Sequence, residues 1–336
     1  MSRLRKPPAG PLRAAALVLA WSSGFIGAEI GTRHAAADTL LAWRFLVATV
    51  ILLPVLGRAA RRLDRLEWAR QGVLALLCQC LYLGGVFWAA SAGVPAGTSA
   101  LIASLQPALV LMAGAFLHSQ RLTLRQGAGL ALGTAGVALT AASDLSTGVA
   151  ASTLLLPLAG MLCLTVGTLL QQWWSAPSRT PLPVLETLAV QAAFSAVFFT
   201  GSTIATGHLK PPASAAFWFA VAWAVVAGLA SFGFYYLVIA RDGAPRASAL
   251  LYLTPGTTAL WAVPMLGQPL PLITVLGLVI SASAVILLHA RPDPVQRVQQ
   301  AKERQSGSAI RADFVPEVSQ TGQRQQAAGP RAHTEL

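Results

Sequence analysis

Three charged side chains, Glu29, Arg44 and Glu186, lie inside stretches that are otherwise apolar for about 20 residues. Arg44 stands within "DTLLAWRFLVATVILLPVL" (38–56). An arginine in hydrocarbon costs from about 3 to more than 10 kcal/mol, so a partner, a polar cavity or a bound anion must offset it. Glu29 lies near the end of one apolar run and Arg44 about five residues, or roughly 8 Å, into the next. That spacing predicts an interior ion pair between them. Two further chemistries are open to the same residues: Arg44 can attract an anionic group, and Glu29 can take up a proton. Glu186 begins a later run and is expected to be interfacial and solvated. Uncharged groups widen the set of candidates. Gln172 and Gln191 occupy places in the second half comparable to Glu29 and Arg44, and Gln106 precedes Pro107 in "SLQP". Tyr82, Trp88, Tyr235 and Tyr252 fall within apolar runs, where an aromatic ring can stack on a small molecule, close a gate or simply pack.

The composition decides what holds these groups. Hydrophobic residues make up 55% of the 336 and charged residues 11%, with a mean hydropathy of +0.61. A soluble domain carries about 25% charged residues, so this chain belongs in a membrane. Cys78, Cys80 and Cys163 are odd in number and form no CxxC, and no paired histidines occur. Neither a disulfide framework nor a metal site is expected, and no cofactor. Paired carboxylates, a His–Asp pair and a nucleophile elbow are also missing from the apolar runs, which argues against an intramembrane enzyme. The glycines of "RQGAGLALGTAG" follow no strand and make no phosphate loop.

Apolar runs separated by Pro, Gly and charge number ten, near 14–31, 39–56, 71–91, 96–117, 126–142, 152–173, 184–205, 213–239, 247–266 and 271–289. Each is read as a helix, because only closed helices satisfy the backbone in lipid over such lengths. The first run follows a basic start but no small-x-small cleavage site, and is read as an uncleaved span. Fourteen Lys and Arg residues between the runs fall on the amino-terminal side, against Arg33 and Lys210 on the other. Positive residues stay in the cytoplasm, so both termini are expected there, in a bacterial-type inner (plasma) membrane. The net charge of +12 therefore marks topology, and no nucleic-acid partner is expected. Residues 1–13 form a cytoplasmic segment and residues 290–336 a tail with almost no aliphatics, expected to be disordered.

An internal repeat relates residues 93–139 to 243–287. Gly93 and Pro95 match Gly243 and Pro245; after a two-residue slip Pro107 matches Pro255, Gln120 matches Gln268, Leu122 matches Leu270 and Gly129 matches Gly277. The repeat unit is five helices, at 14–142 and 152–289. An odd unit enters the membrane from opposite faces, giving an inverted repeat suited to alternating access. Pro107 and Pro255 are expected to interrupt corresponding helices and free backbone carbonyls. Gly27 with Gly31, and Gly129 with Gly133, have the small-xxx-small spacing that permits close helix approach.

The motifs "LAWSSGFIGAEIG", "AWRF", "YLGGVFWAASAGVPAGTSALIASLQP" and "ASALLYLTPGTTAL", in this order, resemble the drug/metabolite transporter superfamily of the EamA-domain type. The resemblance covers about residues 14–289. It implies a ten-helix, all-α secondary carrier in lipid that moves small polar or amphipathic metabolites, often outward, with protons as a candidate coupling ion. Lipid scrambling is the alternative reading for similar helices. The family commonly carries Glu where this chain has Gln120 and Gln268, so any role of that carboxylate is absent or altered here. The predicted topology has a direct check. A cysteine placed at Ser146 should react with an impermeant reagent from outside, and one at Arg62 only from inside; the reverse pattern would refute the orientation.

Overall fold

The computed structural model describes residues 9–117, 124–146, 148–174, 182–242, 244–268 and 272–289. Gln120 and the tail from residue 290 lie outside the described residues. Among the described residues all regular structure is helical and there is no strand. The order is α1 (Ala9–Thr32), α2 (Ala37–Ala60), α3 (Arg65–Leu74), a π-helical segment (Ala75–Leu81), α4 (Tyr82–Ser91), α5 (Ala96–Ala103) and α6 (Gln106–Leu117). Then come α7 (Leu124–Ser146), α8 (Ala151–Trp174), α9 (Val184–Thr206), α10 (Ala215–Asp242), α11 (Ala244–Leu250), a 3-10 turn (Leu251–Leu253), α12 (Thr254–Leu266) and α13 (Leu272–His289). Each of the ten apolar runs is thus helical. Among the described residues seven helical stretches are long and apolar enough to cross a membrane, and Ala96–Val110 and Gly127–Thr140 are shorter apolar helices. Val50, Ile51, Val197, Val226 and Leu260 are exposed on helix surfaces, the arrangement of side chains that face lipid instead of water.

Two runs are broken at corresponding places, and proline chemistry explains where. Pro107 and Pro255 are the second residues of α6 and α12, so each starts a half-helix whose predecessor ends just before it. Proline has no N–H to give the carbonyl four residues back. For Pro255 that carbonyl belongs to Leu251, and the Thr254 hydroxyl donates to it at 2.6 Å. In the first half Ser104 Oγ donates to the Leu101 carbonyl, also at 2.6 Å. The break at Pro255 is therefore satisfied locally by a hydroxyl.

Packing is organised by pairs of antiparallel helices drawn from different halves of the chain. α2 lies along α9, fastened at one end by Thr39 Oγ1 to the His208 carbonyl (2.9 Å) and Trp43 Nε1 to the Leu209 carbonyl (3.1 Å). At the other end Arg62 donates to Glu186 at 3.0 Å, and between them Phe45 and Phe199 stack at 5.7 Å. Glu186 is buried in this pair, contrary to the solvated role expected from its position at a helix start. α1 lies along α10, with Trp223 Nε1 bonded to the Ser23 carbonyl at 3.0 Å and Arg13 3.7 Å from Asp242. α4 packs on α8, and α7 on α13.

Glycine spacing does not by itself reveal which contacts are close. A side chain at Gly27 would meet the Trp223 ring, and one at Gly31 the Leu40 side chain, so these glycines make room for large residues. The backbone approach occurs elsewhere. A Cβ on Gly85 would lie 2.5 Å from the Leu156 carbonyl oxygen, and one on Gly160 2.9 Å from that of Tyr82. Small residues of this kind let helix backbones touch in lipid, where dispersion drives association. Gly277 meets the Gly136 carbonyl in the same way. Gly85→Val should separate α4 from α8 and destabilise the fold by about 1–3 kcal/mol or more. Gly97→Ala, with nothing within 4 Å of the added carbon, is the control. Thermal unfolding in detergent micelles should show a lowered Tm for the first and no change for the second.

Candidate functional site

Arg44 lies seven residues into α2, about 10 Å below its first residue. Its side chain is turned inward and the residue is 5% exposed. The guanidinium sits 4.8 Å from the Phe45 ring centroid and 5.9 Å from that of Phe87. Cationic contacts with ring faces contribute about 0.5–2 kcal/mol and more when dry, only part of the desolvation cost. Two cavities meet at this group. One, of about 30 Å³, is lined by Trp21, Tyr82, Phe87, Gly228 and Phe232 besides Arg44. The other, of about 20 Å³, is lined by Phe45, Gln79 and Leu229 and again by Arg44 and Gly228. Helices α1, α2 and α4 and the π-helical segment of the first half supply these walls together with α9 and α10 of the second.

The expected Glu29–Arg44 pair is not formed. Glu29 lies three residues from the end of α1, less than one turn, whereas Arg44 is two turns deep in α2. Moreover α1 packs chiefly against α10 and α12, and far less against α2, where Gly31 meets Leu40. Glu29 is buried at that end among other partners. Its Oε1 accepts from Arg33 at 2.8 Å, its Oε2 from the Ala96 amide at 3.0 Å, and Gln268 Nε2 reaches both oxygens at 2.6 and 2.7 Å. The carboxylate thereby joins α1, the start of α5 and the end of α12. Gln268 donates to this carboxylate; a second carboxylate at that place would repel it.

A neutral polar network lies beyond the cavity. Gln106 Nε2 donates to Thr168 Oγ1 at 3.3 Å and to the Tyr235 hydroxyl at 3.4 Å. Tyr235 also lies 3.0 Å from Thr168 Oγ1 and 3.4 Å from Ser248 Oγ, so α6, α8, α10 and α11 converge on one phenol. The Trp21 ring connects network and cavity: its centroid is 5.1 Å from that of Tyr235, and its Nε1 donates to the Tyr82 hydroxyl at 3.2 Å. Gln191 belongs to a second chain, donating to Gln71 at 2.9 Å and accepting from Tyr236 at 2.6 Å.

Among the residues singled out from sequence, Arg44 and Tyr82 share the cavity, and Gln106 and Tyr235 share the network next to it. Gln191 lies one ring contact further, since Tyr235 and Tyr236 are 6.1 Å apart. Pro107, Tyr252 and Pro255 are buried at the helix breaks. Trp88 is half-buried on α4 beside Gly84, and Gln172 is exposed two residues from the end of α8; neither lines the cavity. Trp21, Phe87, Gly228 and Phe232 line it without having been singled out. A tryptophan and a glycine in the middle of apolar helices were the available signals. Asp38 is a further omission: it begins α2, is buried, and accepts from Thr206 Oγ1 at 2.9 Å.

Comparison with known proteins agrees with this architecture. The EamA-like transporter family matches the chain twice, over residues 9–142 and 151–290. A protein of Salmonella typhimurium described as "Probable amino-acid metabolite efflux pump" is 25% identical over 263 residues, 76% of this chain and 86% of that protein. A crystal structure of a protein superposes with a TM-score of 0.61 at 18% identity, covering 84% of this chain and 97% of the other, a likeness of fold alone. The two family matches together take in nearly every helix described, and the chain belongs to the EamA-like transporter family.

Proposed function

We propose that this transporter is a secondary carrier that exports a small polar or amphipathic metabolite by alternating access between two inverted five-helix halves. One observation carries the reading: the main contacts between the halves are the same when the halves are exchanged. The helices number one to five in each half when α3 to α4, α5 to α6 and α11 to α12 are each counted as one. The second helices pair with each other (α2 with α9), as do the fifth (α7 with α13) and the fourth (α5 with α12, α6 with α11). The first helix of one half pairs with the third of the other both ways, as α1 with α10 and α8 with α4. Likewise α1 meets α12, and α8 meets α5 and α6. A five-helix unit that crosses at every helix must enter from the opposite face on repetition, and a carrier of this kind opens by rocking about the shared site.

The cavity at Arg44 is walled by both halves and is the proposed translocation site, with Tyr82, Gln106 and Tyr235 beside it. The Glu29 cluster fastens α1 and α5 to the second half's α12 at the end bearing Arg33, the proposed outer end. Opening outward requires these contacts to part, and protonation of Glu29 would remove one acceptor, a route for proton coupling. Arg13, Arg62 and Arg246 lie at the opposite end, in keeping with cytoplasmic termini in a bacterial-type inner membrane. The relative described as an amino-acid metabolite efflux pump supports outward transport of such solutes.

The test is counterflow in proteoliposomes across a panel of amino acids and their derivatives. Saturable exchange of at least one solute is expected, and none across the panel would refute the carrier. Glu29→Gln and Arg44→Gln should each impair transport or stability, and in a double-mutant cycle their stability effects should add to within about 0.5 kcal/mol, because the residues do not touch. A larger coupling would place them in contact.

A further inference from the structure

We infer that Arg44 is the docking group for a single carboxylate, and that Gly228 makes the room that lets its guanidinium sit at the cavity wall. The proposal rests on the carrier reading and names its substrate class: monocarboxylates with an apolar or aromatic remainder.

A buried cation needs an anion, and no acid whose side chain is described supplies one. Glu29 is taken up by Arg33, Gln268 and the Ala96 amide. Asp38 is held by Thr206 and the Thr39 amide, Glu186 by Arg62, and Asp242 by Arg13 and Arg246. Glu67 serves Arg70 and Gln71 at the start of α3, and Asp64 caps the same helix. Among the described residues the Arg44 guanidinium forms no hydrogen bond or ion pair, although the residue is 5% exposed. It is an unpartnered charge aimed into two cavities that it alone joins with Gly228.

Space and shape select the anion. A planar guanidinium presents parallel N–H groups that match the two oxygens of a carboxylate. A cavity of about 30 Å³ holds on the order of two water-sized groups, enough for a carboxylate head but not for a whole metabolite. No second cation lines either cavity, so a doubly charged phosphate or sulfate would remain half neutralised. The walls around the head are aromatic, which suits an apolar remainder when the cavity widens. Gly228 gives the guanidinium its place beside the cavities. A Cβ there would overlap Arg44 Nη2 and lie 2.9 Å from Cζ and 3.1 Å from Nε, so alanine would push the guanidinium out of its position at the cavities.

The full chain, purified in detergent, should be titrated with phenylacetate and with phenylacetamide at matched ionic strength, reading the shift in Tm. Phenylacetate should stabilise saturably and bind about tenfold or more tighter than the amide, with sodium chloride producing no such shift. Arg44→Gln and Gly228→Ala should each weaken phenylacetate by about tenfold or more, and Arg44→Lys, which keeps the charge but not the fork, should lie between. Equal binding of acid and amide, an equal effect of chloride, or an unchanged affinity in Gly228→Ala would overturn the proposal. If the variants fail to fold, the acid–amide comparison on the unaltered chain decides it alone. Binding in micelles does not depend on transport. Acid-selective binding without counterflow would uphold the anion site and reject the carrier, whereas counterflow of neutral solutes without acid selectivity would do the reverse.

Discussion

The desolvation of one guanidinium constrains much of this bundle. Arg44 is held two turns deep, without a carboxylate, in a setting where several kcal/mol must be offset. The surrounding residues follow from that constraint. Phe45 and Phe87 present rings to the charge, glycine at 228 makes room for it, and polar side chains such as Gln79 line the space beside it. An aliphatic residue at 44 would pack more easily against the same neighbours. The charge costs stability where it sits, and such groups inside membranes are characteristically functional.

Two neutral polar networks lie beside this charge. Gln106, Thr168, Tyr235 and Ser248 are joined by hydrogen bonds, as are Gln71, Gln191 and Tyr236. The Thr254 hydroxyl also repairs the backbone where Pro255 has removed a donor. Interhelical hydrogen bonds in membranes contribute about 0.6 to 2 kcal/mol each, so these networks fix registers between helices more than they add bulk stability. They leave the centre with one strong, unspent electrostatic group.

Much of the fold was legible because lipid imposes long apolar runs, and proline and glycine punctuate them at fixed spacing. Helix positions, the breaks at Pro107 and Pro255 and the family all follow from one-dimensional features. Pairing does not. Glu29 and Arg44 are close in sequence and opposite in charge, yet the loop between their helices does not make α1 and α2 neighbours over their length. Glu29 instead finds Gln268, from the far half of the chain. Likewise Gly228 has meaning only through Arg44, and Gly85 only through Leu156. Glu186 looked solvated because it begins a helix, and it is buried because Arg62 covers it. Residue type indicates what a group can do; its partner arrives from a helix that periodicity cannot assign.

The two contacts exchanged by the repeat, α4 on α8 and α1 on α10, are built from different materials. At the first, Gly85 and Gly160 bring backbone against backbone, and carbonyl oxygens are seated in the gaps. At the second, Trp21 and Trp223 stand between the helices, and side-chain rotamers separate the two backbones. A backbone seam resists sliding because every atom in it is fixed by the helix, while an aromatic layer can shear by turning about side-chain torsions. The two contacts that the repeat exchanges therefore resist shear unequally, so two halves alike in pattern are unlike in mechanics.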